Sequence, residues 1–357
     1  MRDLSSEAIA RVDSDDMLGD ILAQPAQLKD ALWRVDATDL SGRDSSSGLT
    51  VCGMGGSAIG GDLAAAAVGD RGDRPIRTVR DYSLGPRVGI DSLVLLASYS
   101  GDTEETVACY HEAGEAGMDR VVLTSGGGLA EAAREDGVPV IGVPGGMAPR
   151  AAVAYMVVAV LECAYLCGAA PPMREEVRLA SALLEDLTSE WGPDADDDTN
   201  AKALARRLYG SVPIVYGADL TGPVAIRWKA QFNENVKTPA FYAMIPEANH
   251  NDLNGWLGAS ELAPLFPVLL DDRGIDSRVR RRIELTARMA ADGATGVETV
   301  VSRGDSPLER VLSLVLLGDL ISVYLAVLSE RDPTPVEVIQ QFKQALDAGE
   351  DLIPPVA

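Results

Sequence analysis

The chain has 357 residues, 46% of them hydrophobic, with 54 acidic against 31 basic side chains and a formal charge of -23. That length and apolar content can bury two cores of ordinary size, so two domains are expected. The acidic excess repels nucleic acid over most of the surface, so any phosphate bound here must be bound locally.

In chain order, the opening MRDLSSEAIARVDSDD is too charged for a signal peptide, and residues up to 47 carry no motif for chemistry. GLTVCGMGG (48–56), RTVRDY (77–82), SLVLLAS (92–98), RVVLTS (120–125) and PVIGVPGG (139–146) then read as strands alternating with helical segments. The acidic linker WGPDADDDTN (191–200) follows. Beyond it VPIVYG (212–217), PAFYAMI (239–245), FPVLLDD (266–272) and VETVVSR (297–303) repeat the alternation. Strands alternating with helices predict an α/β architecture, with parallel sheets covered on both faces. The expected division is 1–190, a linker at 191–200, and 201–357. Residues 151–167 and 311–328 approach the length of a membrane span but are interrupted by Glu162 and Asp319, and are expected to be buried core helices rather than membrane segments. Cys52, Cys109, Cys163 and Cys167 are scattered without a nearby histidine, which fits reduced buried thiols in a cytoplasmic protein and no metal site.

In open α/β sheets, ligands bind beyond the carboxyl ends of the strands, and the unusual loops of this chain fall there. ASYSGDTEET (97–106) places Ser98, Ser100, Thr103 and Thr106 around Gly101, between a strand and a helix expected over 103–114. A helix N-terminus presents unpaired N–H groups and a positive dipole end, so small hydroxyl residues there can surround a phosphate; an ordinary cap is the alternative. In CGMGGSAIGGDL (52–63), Gly55 and Gly56 allow close backbone approach to a small polar ligand and Ser57 supplies a hydroxyl. The glycines resemble a dinucleotide fingerprint only superficially, because the acidic residue expected about twenty positions on falls in the arginine-bearing RTVRDY. Arg150, after PGGMAP, is either a cation for that site or a charge that points to water.

The second half carries QFNENVKTPAFYAMIPEANHNDLNGW (231–256). Glu234 ends a predicted helix, where a carboxylate is disfavoured, and such local misfits mark functional sites; a carboxylate whose pKa is raised makes a useful general base. His250, one of two histidines, lies among asparagines and Asp252, while His111 on an exposed helix reads as a surface residue.

Together GMGGSAIGGDL, SYSGDTEET, Pro149 and Arg150, FNEN, EANHND and DPTPVEVIQQFK make the chain resemble the bifunctional phosphoglucose/phosphomannose isomerases, which are built from two sugar isomerase (SIS) domains. The resemblance implies two doubly wound parallel-sheet SIS domains and no cofactor. It implies phosphate and sugar contacts from Ser57, Ser98, Ser100 and Thr103, beside the Gly55–Gly56 backbone. It implies Glu234 as the base, Arg150 stabilising an enediolate, and His250 and Lys343 assisting ring opening. It further implies a homodimer in which His250 completes the neighbouring subunit's site. Lys343 is placed only by its position after DPTP; a solvated lysine on an amphipathic helix is the alternative. For EANHNDLNGW the expectation is a polar loop tipped by Leu253 and Trp256 at an interface. Two other function classes stay open: another SIS sugar-phosphate isomerase, and a sugar-phosphate-binding regulator without catalysis.

Overall fold

In the computed structural model, residues 3–38 and 40–348 are described. The outermost residues of the two expected domains therefore lie outside the described residues. Three helices, α1 (Ser6–Val12), α2 (Met17–Leu22) and α3 (Gln24–Ala37), precede the first sheet. That sheet and its helices run β1 (Leu49–Cys52), α4 (Gly55–Val68), β2 (Ile76–Val79), β3 (Leu93–Ala97), α5 (Glu104–Glu115), β4 (Arg120–Thr124), α6 (Gly127–Glu135), β5 (Val140–Gly142), α7 (Val153–Leu166) and α8 (Arg174–Trp191). The second half runs α9 (Asn200–Leu208), β6 (Val212–Gly217), α10 (Gly222–Asn235), β7 (Phe241–Met244), α11 (Ala259–Leu262), β8 (Leu265–Asp271), α12 (Ser277–Ala290), β9 (Glu298–Val301), α13 (Pro307–Leu328) and α14 (Glu337–Asp347).

Both sheets are parallel throughout, in the orders β2-β1-β3-β4-β5 and β7-β6-β8-β9. All nine strands expected from the sequence form; most are shorter than expected at their ends, β6 keeps its expected bounds, and β2 and β8 each begin one residue earlier than expected. Strand β3 is buried at every position, which is why it reads as a continuous apolar run rather than an alternating one. In the first sheet Cys52 stands opposite both Val79 and Leu96, so the loops leaving β1, β2 and β3 start level with one another. The strand order reverses at β1, which opens a crevice there.

The two apolar stretches are core helices. Ser306 and Glu309 form a capping box with Pro307 in the first turn, which starts α13 sharply. From Val311 to Leu328 every residue of α13 is buried, as a helix apolar on all sides requires. A continuous apolar core joins Leu63 and Val157 of the first half to Phe232, Val268 and Leu316 of the second. The charges that interrupt these helices are matched inside. Glu162 accepts from Arg174 Nε (2.9 Å) and Nη2 (2.7 Å). Asp319 accepts from Arg227 Nε (3.0 Å) and Nη2 (2.7 Å), Gln24 Nε2 (2.7 Å) and Gln231 Nε2 (2.8 Å). All four cysteines are free and buried.

A candidate active site between the two sheets

Helix α10 has Arg227, Gln231 and Glu234 at spacings of four and three, so they share one face that runs from the Asp319 network up to the helix end. Below that end Asn235 is fully buried and its Nδ2 donates to Ser322 Oγ at 2.8 Å, which fixes the last turn of α10 against α13. Opposite lies Arg150, in the 3-10 turn Pro149–Ala152 that leads into α7. Its guanidinium is 3% exposed and does not point to water. Arg150 Nε donates to Asn235 Oδ1 (2.6 Å), Nη1 to Glu234 Oε2 (3.4 Å), and Nη2 to the carbonyls of Pro333 (2.7 Å) and Thr334 (3.0 Å). Burial pulls the Arg150 pKa down, and the Glu234 charge opposes that pull. Arg227 Nη2 also donates to the Arg150 carbonyl at 2.9 Å, so the buried Asp319 network reaches the backbone of this turn.

These groups wall a cavity of about 110 Å³ whose lining includes Gly55, Gly56, Arg80, Arg150, Arg227 and Glu234. The start of α4 comes hard against the Arg150 turn: a Cβ on Gly56 would stand 3.1 Å from Arg150 Cα and 3.2 Å from the Pro149 oxygen. No side chain caps α4, so its first N–H groups are offered to the crevice. Ser57 is buried in its first turn.

The hydroxyl loop follows β3, the strand next to β1. Thr103 holds the N-cap position of α5 but makes no capping hydrogen bond; instead its Oγ1 pairs with Ser98 Oγ at 2.8 Å. Ser98 is buried and accepts from the Gly101 N–H at 3.1 Å, while Ser100 is exposed and accepts from the Asp102 N–H at 3.2 Å. Gly101 has φ +80°, and a Cβ there would meet the Gly126 oxygen at 1.9 Å, so only glycine fits this turn. The first turn of α5 is thus left without a side-chain cap beside three hydroxyls. Thr106 is different: it is buried, and its hydroxyl has no hydrogen-bond partner among the described residues.

Of the expected site residues, Gly55, Gly56, Arg150 and Glu234 line the cavity, whereas Ser57, Ser98, Ser100 and Thr103 are not among its lining residues, and His250, Lys343 and Trp256 also stand apart from it. His250 is exposed in the 3-10 turn Glu247–His250 after β7, and Lys343 is exposed on α14. Trp256 corrects an expectation, because it is not an exposed tip: it is 5% exposed and donates from Nε1 to Tyr216 Oη at 3.1 Å, anchoring the loop to its own sheet. The indole belongs to a buried cluster that includes Tyr216, Leu269 and Ile283, which removes far more apolar area from water than a solvent position would. Leu257, 88% exposed, is the apolar residue the loop presents.

Sequence reasoning missed Arg80, Arg227 and Gln231 in the site. Arg80, held by Asp62, comes from the RTVRDY stretch already noted for its arginines. Arg227 and Gln231 carried a usable signal in their spacing to Glu234 and in the demand of Asp319 for a partner.

Residues 197–346 match the family model for the bacterial phospho-glucose isomerase C-terminal SIS domain. A bifunctional phosphoglucose/phosphomannose isomerase from Caldicellulosiruptor bescii is 37% identical over 301 residues, covering 84% of this chain and 89% of that protein. The chain belongs to the bifunctional phosphoglucose/phosphomannose isomerase family. Within reach of this family is a relative named for another reaction, a D-glucosamine-6-phosphate 4-epimerase from Sulfolobus acidocaldarius, 30% identical over 81% of this chain and 85% of that protein. The SIS fold extends over both halves. A solved structure of a glucose-6-phosphate isomerase like protein from Thermus thermophilus superposes with a TM-score of 0.63, at 18% identity, over 96% of this chain and 99% of that one.

Proposed function

We propose that this member of the phosphoglucose/phosphomannose isomerase family is an aldose-ketose isomerase that interconverts fructose 6-phosphate with glucose 6-phosphate and mannose 6-phosphate. The observation that carries this reading is the pairing of Glu234 with buried Arg150 at 3.4 Å, in a cavity beside the helix start at Gly55. Moving a proton between C1 and C2 requires one base and a means of bearing charge on the intermediate cis-enediolate. Glu234 is that base, taking the proton from one carbon and returning it to the other. Arg150, fixed by four protein acceptors and shielded from water, offsets the developing negative charge more strongly than it would in solvent. Both C2 epimers give the same enediolate, so one base serves glucose and mannose phosphates when the intermediate presents either face of C2 to it.

The substrate phosphate is assigned to Ser57, Ser98, Ser100 and Thr103, with the uncapped starts of α4 and α5 supplying N–H donors and dipole charge. That cradle is neutral, which suits a dianion in a protein of charge -23: the binding is local and needs no basic surface. The proton transfer calls for no metal, and among the described residues no group of three or more His, Cys, Asp and Glu is placed to hold one. Turnover of fructose 6-phosphate, with the glucose and mannose products scored separately, tests the reading. It also separates it from the other SIS reactions, including that of the epimerase-named relative.

His250 and Lys343 are assigned to ring opening, and His250 to the site of a second copy in a homodimer. The support is their exposure away from their own cavity. His250 follows edge strand β7, which exposes Phe241, Tyr242 and Met244, and Leu257 stands out beyond it. Helix α14 likewise exposes Val338, Phe342 and Leu346 around Lys343. Mixing inactive Glu234→Gln and His250→Ala proteins under subunit exchange is expected to restore activity. A mixed dimer then has one site with both groups and one with neither, so random pairing returns about a quarter of the wild-type rate in a two-fold dimer. Continued inactivity with mixed dimers demonstrated would place both groups in one chain.

A further inference from the structure

Helix α10 ends at Asn235, and two residues on Lys237 has φ +56°, a left-handed backbone uncommon for a lysine. Its side chain lies against the loop after α13. Lys237 Nζ donates to the carbonyls of Asn235 (3.3 Å), Asp332 (2.6 Å) and Pro333 (2.8 Å). Arg331 returns the tie, since its Nη1 donates to the carbonyls of Val236 (3.0 Å) and Lys237 (2.7 Å). The segment after the Glu234 helix and the segment before α14 are thus clamped to each other from both sides. The Pro333 carbonyl is shared, because it accepts from Lys237 Nζ and also from Arg150 Nη2 at 2.7 Å.

We infer that Lys237 is a positioning residue for the isomerase reaction: it holds the Pro333 carbonyl, and with it the loop that carries the Thr334 carbonyl, and these two acceptors orient the Arg150 guanidinium toward Glu234 and the cavity. Nothing in its role requires contact with substrate. A buried guanidinium can turn among its acceptors, and Arg150 has two of its four on this loop. Freeing the loop changes where the positive charge points, which matters most where charge develops during reaction and least where the substrate first binds. The inference rests on the proposed isomerase activity. It also makes a pH statement. Burial, with Arg150 adding repulsion, lowers the Lys237 pKa to about 8, while Asp332 and Glu234 oppose the shift and Arg331 adds to it. A neutral amine has two N–H donors for three carbonyls, so one tie is lost above that pH.

The test compares Lys237→Met and Lys237→Arg with the wild-type protein by steady-state kinetics on fructose 6-phosphate and by thermal unfolding. The expected result for Lys237→Met is a kcat lower by about ten- to a hundredfold, with KM within about threefold, since misplacing a catalytic group by a small distance costs on this order. Lys237→Arg is expected to recover most of the rate and to lack the fall in kcat above about pH 8 that is expected of the wild type, because a guanidinium stays charged there. A folded Lys237→Met protein with wild-type kcat would overturn the inference. So would a kcat and Tm that fall together with no recovery in Lys237→Arg. Should Lys237→Met not fold, the pH comparison of wild type with Lys237→Arg decides, and identical profiles overturn the inference. A wild-type protein inactive on fructose 6-phosphate overturns the isomerase reading itself, and this role with it.

Discussion

Replacing Glu234 by Gln is expected to lower kcat at least a hundredfold while leaving KM and folding close to wild type. Glutamine has nearly the same shape and keeps an oxygen that can accept from Arg150 Nη1, where Glu234 Oε2 now stands at 3.4 Å. Arg150 also keeps Asn235, Pro333 and Thr334 as acceptors, so the guanidinium is not left unpaired. What the amide cannot do is take a proton from C1 or C2. Removing a general base typically costs about 10²-fold to 10⁴-fold. A kcat above about one hundredth of wild type, in protein shown to be folded, would remove Glu234 from the role of base.

The second large effect is on stability. Asp319→Ala is expected to destabilise the fold by about 3–5 kcal/mol, the range seen when one partner of a buried ion pair is removed. Asp319 is 0% exposed, and its two oxygens accept four hydrogen bonds from Arg227, Gln24 and Gln231. Without them Arg227, 2% exposed, keeps its charge with the Arg150 carbonyl as its remaining acceptor, and two buried amides lose a partner. Typical domains have only about 5–15 kcal/mol of stability in total, so this one change approaches the limit of folding. Asp319→Asn, which keeps an acceptor but removes the charge, is expected to lose less. Urea unfolding is the measurement: the Asp319→Ala midpoint should fall steeply with an unchanged slope, and a loss under about 1 kcal/mol would show that Arg227 finds other compensation.

Most of the nine strands were legible because they are short apolar runs that end in a glycine, proline or small polar residue, whereas β2 carries Arg77 and runs into Arg80. The loops of the site were legible for the same reason, since Gly55, Gly56, Ser98 and Gly101 break the pattern where a strand meets a helix. Glu234 stood out as a carboxylate at the wrong end of a helix. Its meeting with Arg150 was not legible: the two lie 84 residues apart, and the contact depends on how α10 packs against the turn before α7. The carbonyls of Pro333 and Thr334 were beyond reach for another reason, because a backbone acceptor has no side-chain signature. Trp256 was misread because an aromatic residue at the end of a polar loop looks alike from sequence whether it faces a partner or its own sheet. From sequence Asp319 was only a charge interrupting an apolar stretch, and the packed helices identify Arg227 as its partner.

The most direct test of the isomerase reading is to incubate purified wild-type protein with fructose 6-phosphate in deuterated buffer containing a chelator, and to resolve the products. Glucose 6-phosphate and mannose 6-phosphate are both expected to form, with solvent deuterium at C2 in part of each, and Glu234→Gln is expected to form them at less than about one hundredth of the wild-type rate. Deuterium at C2 reports proton transfer through an enediolate rather than hydride movement, and turnover in chelator reports that the carboxylate works without a metal. Formation of neither aldose by folded wild-type protein would contradict the account.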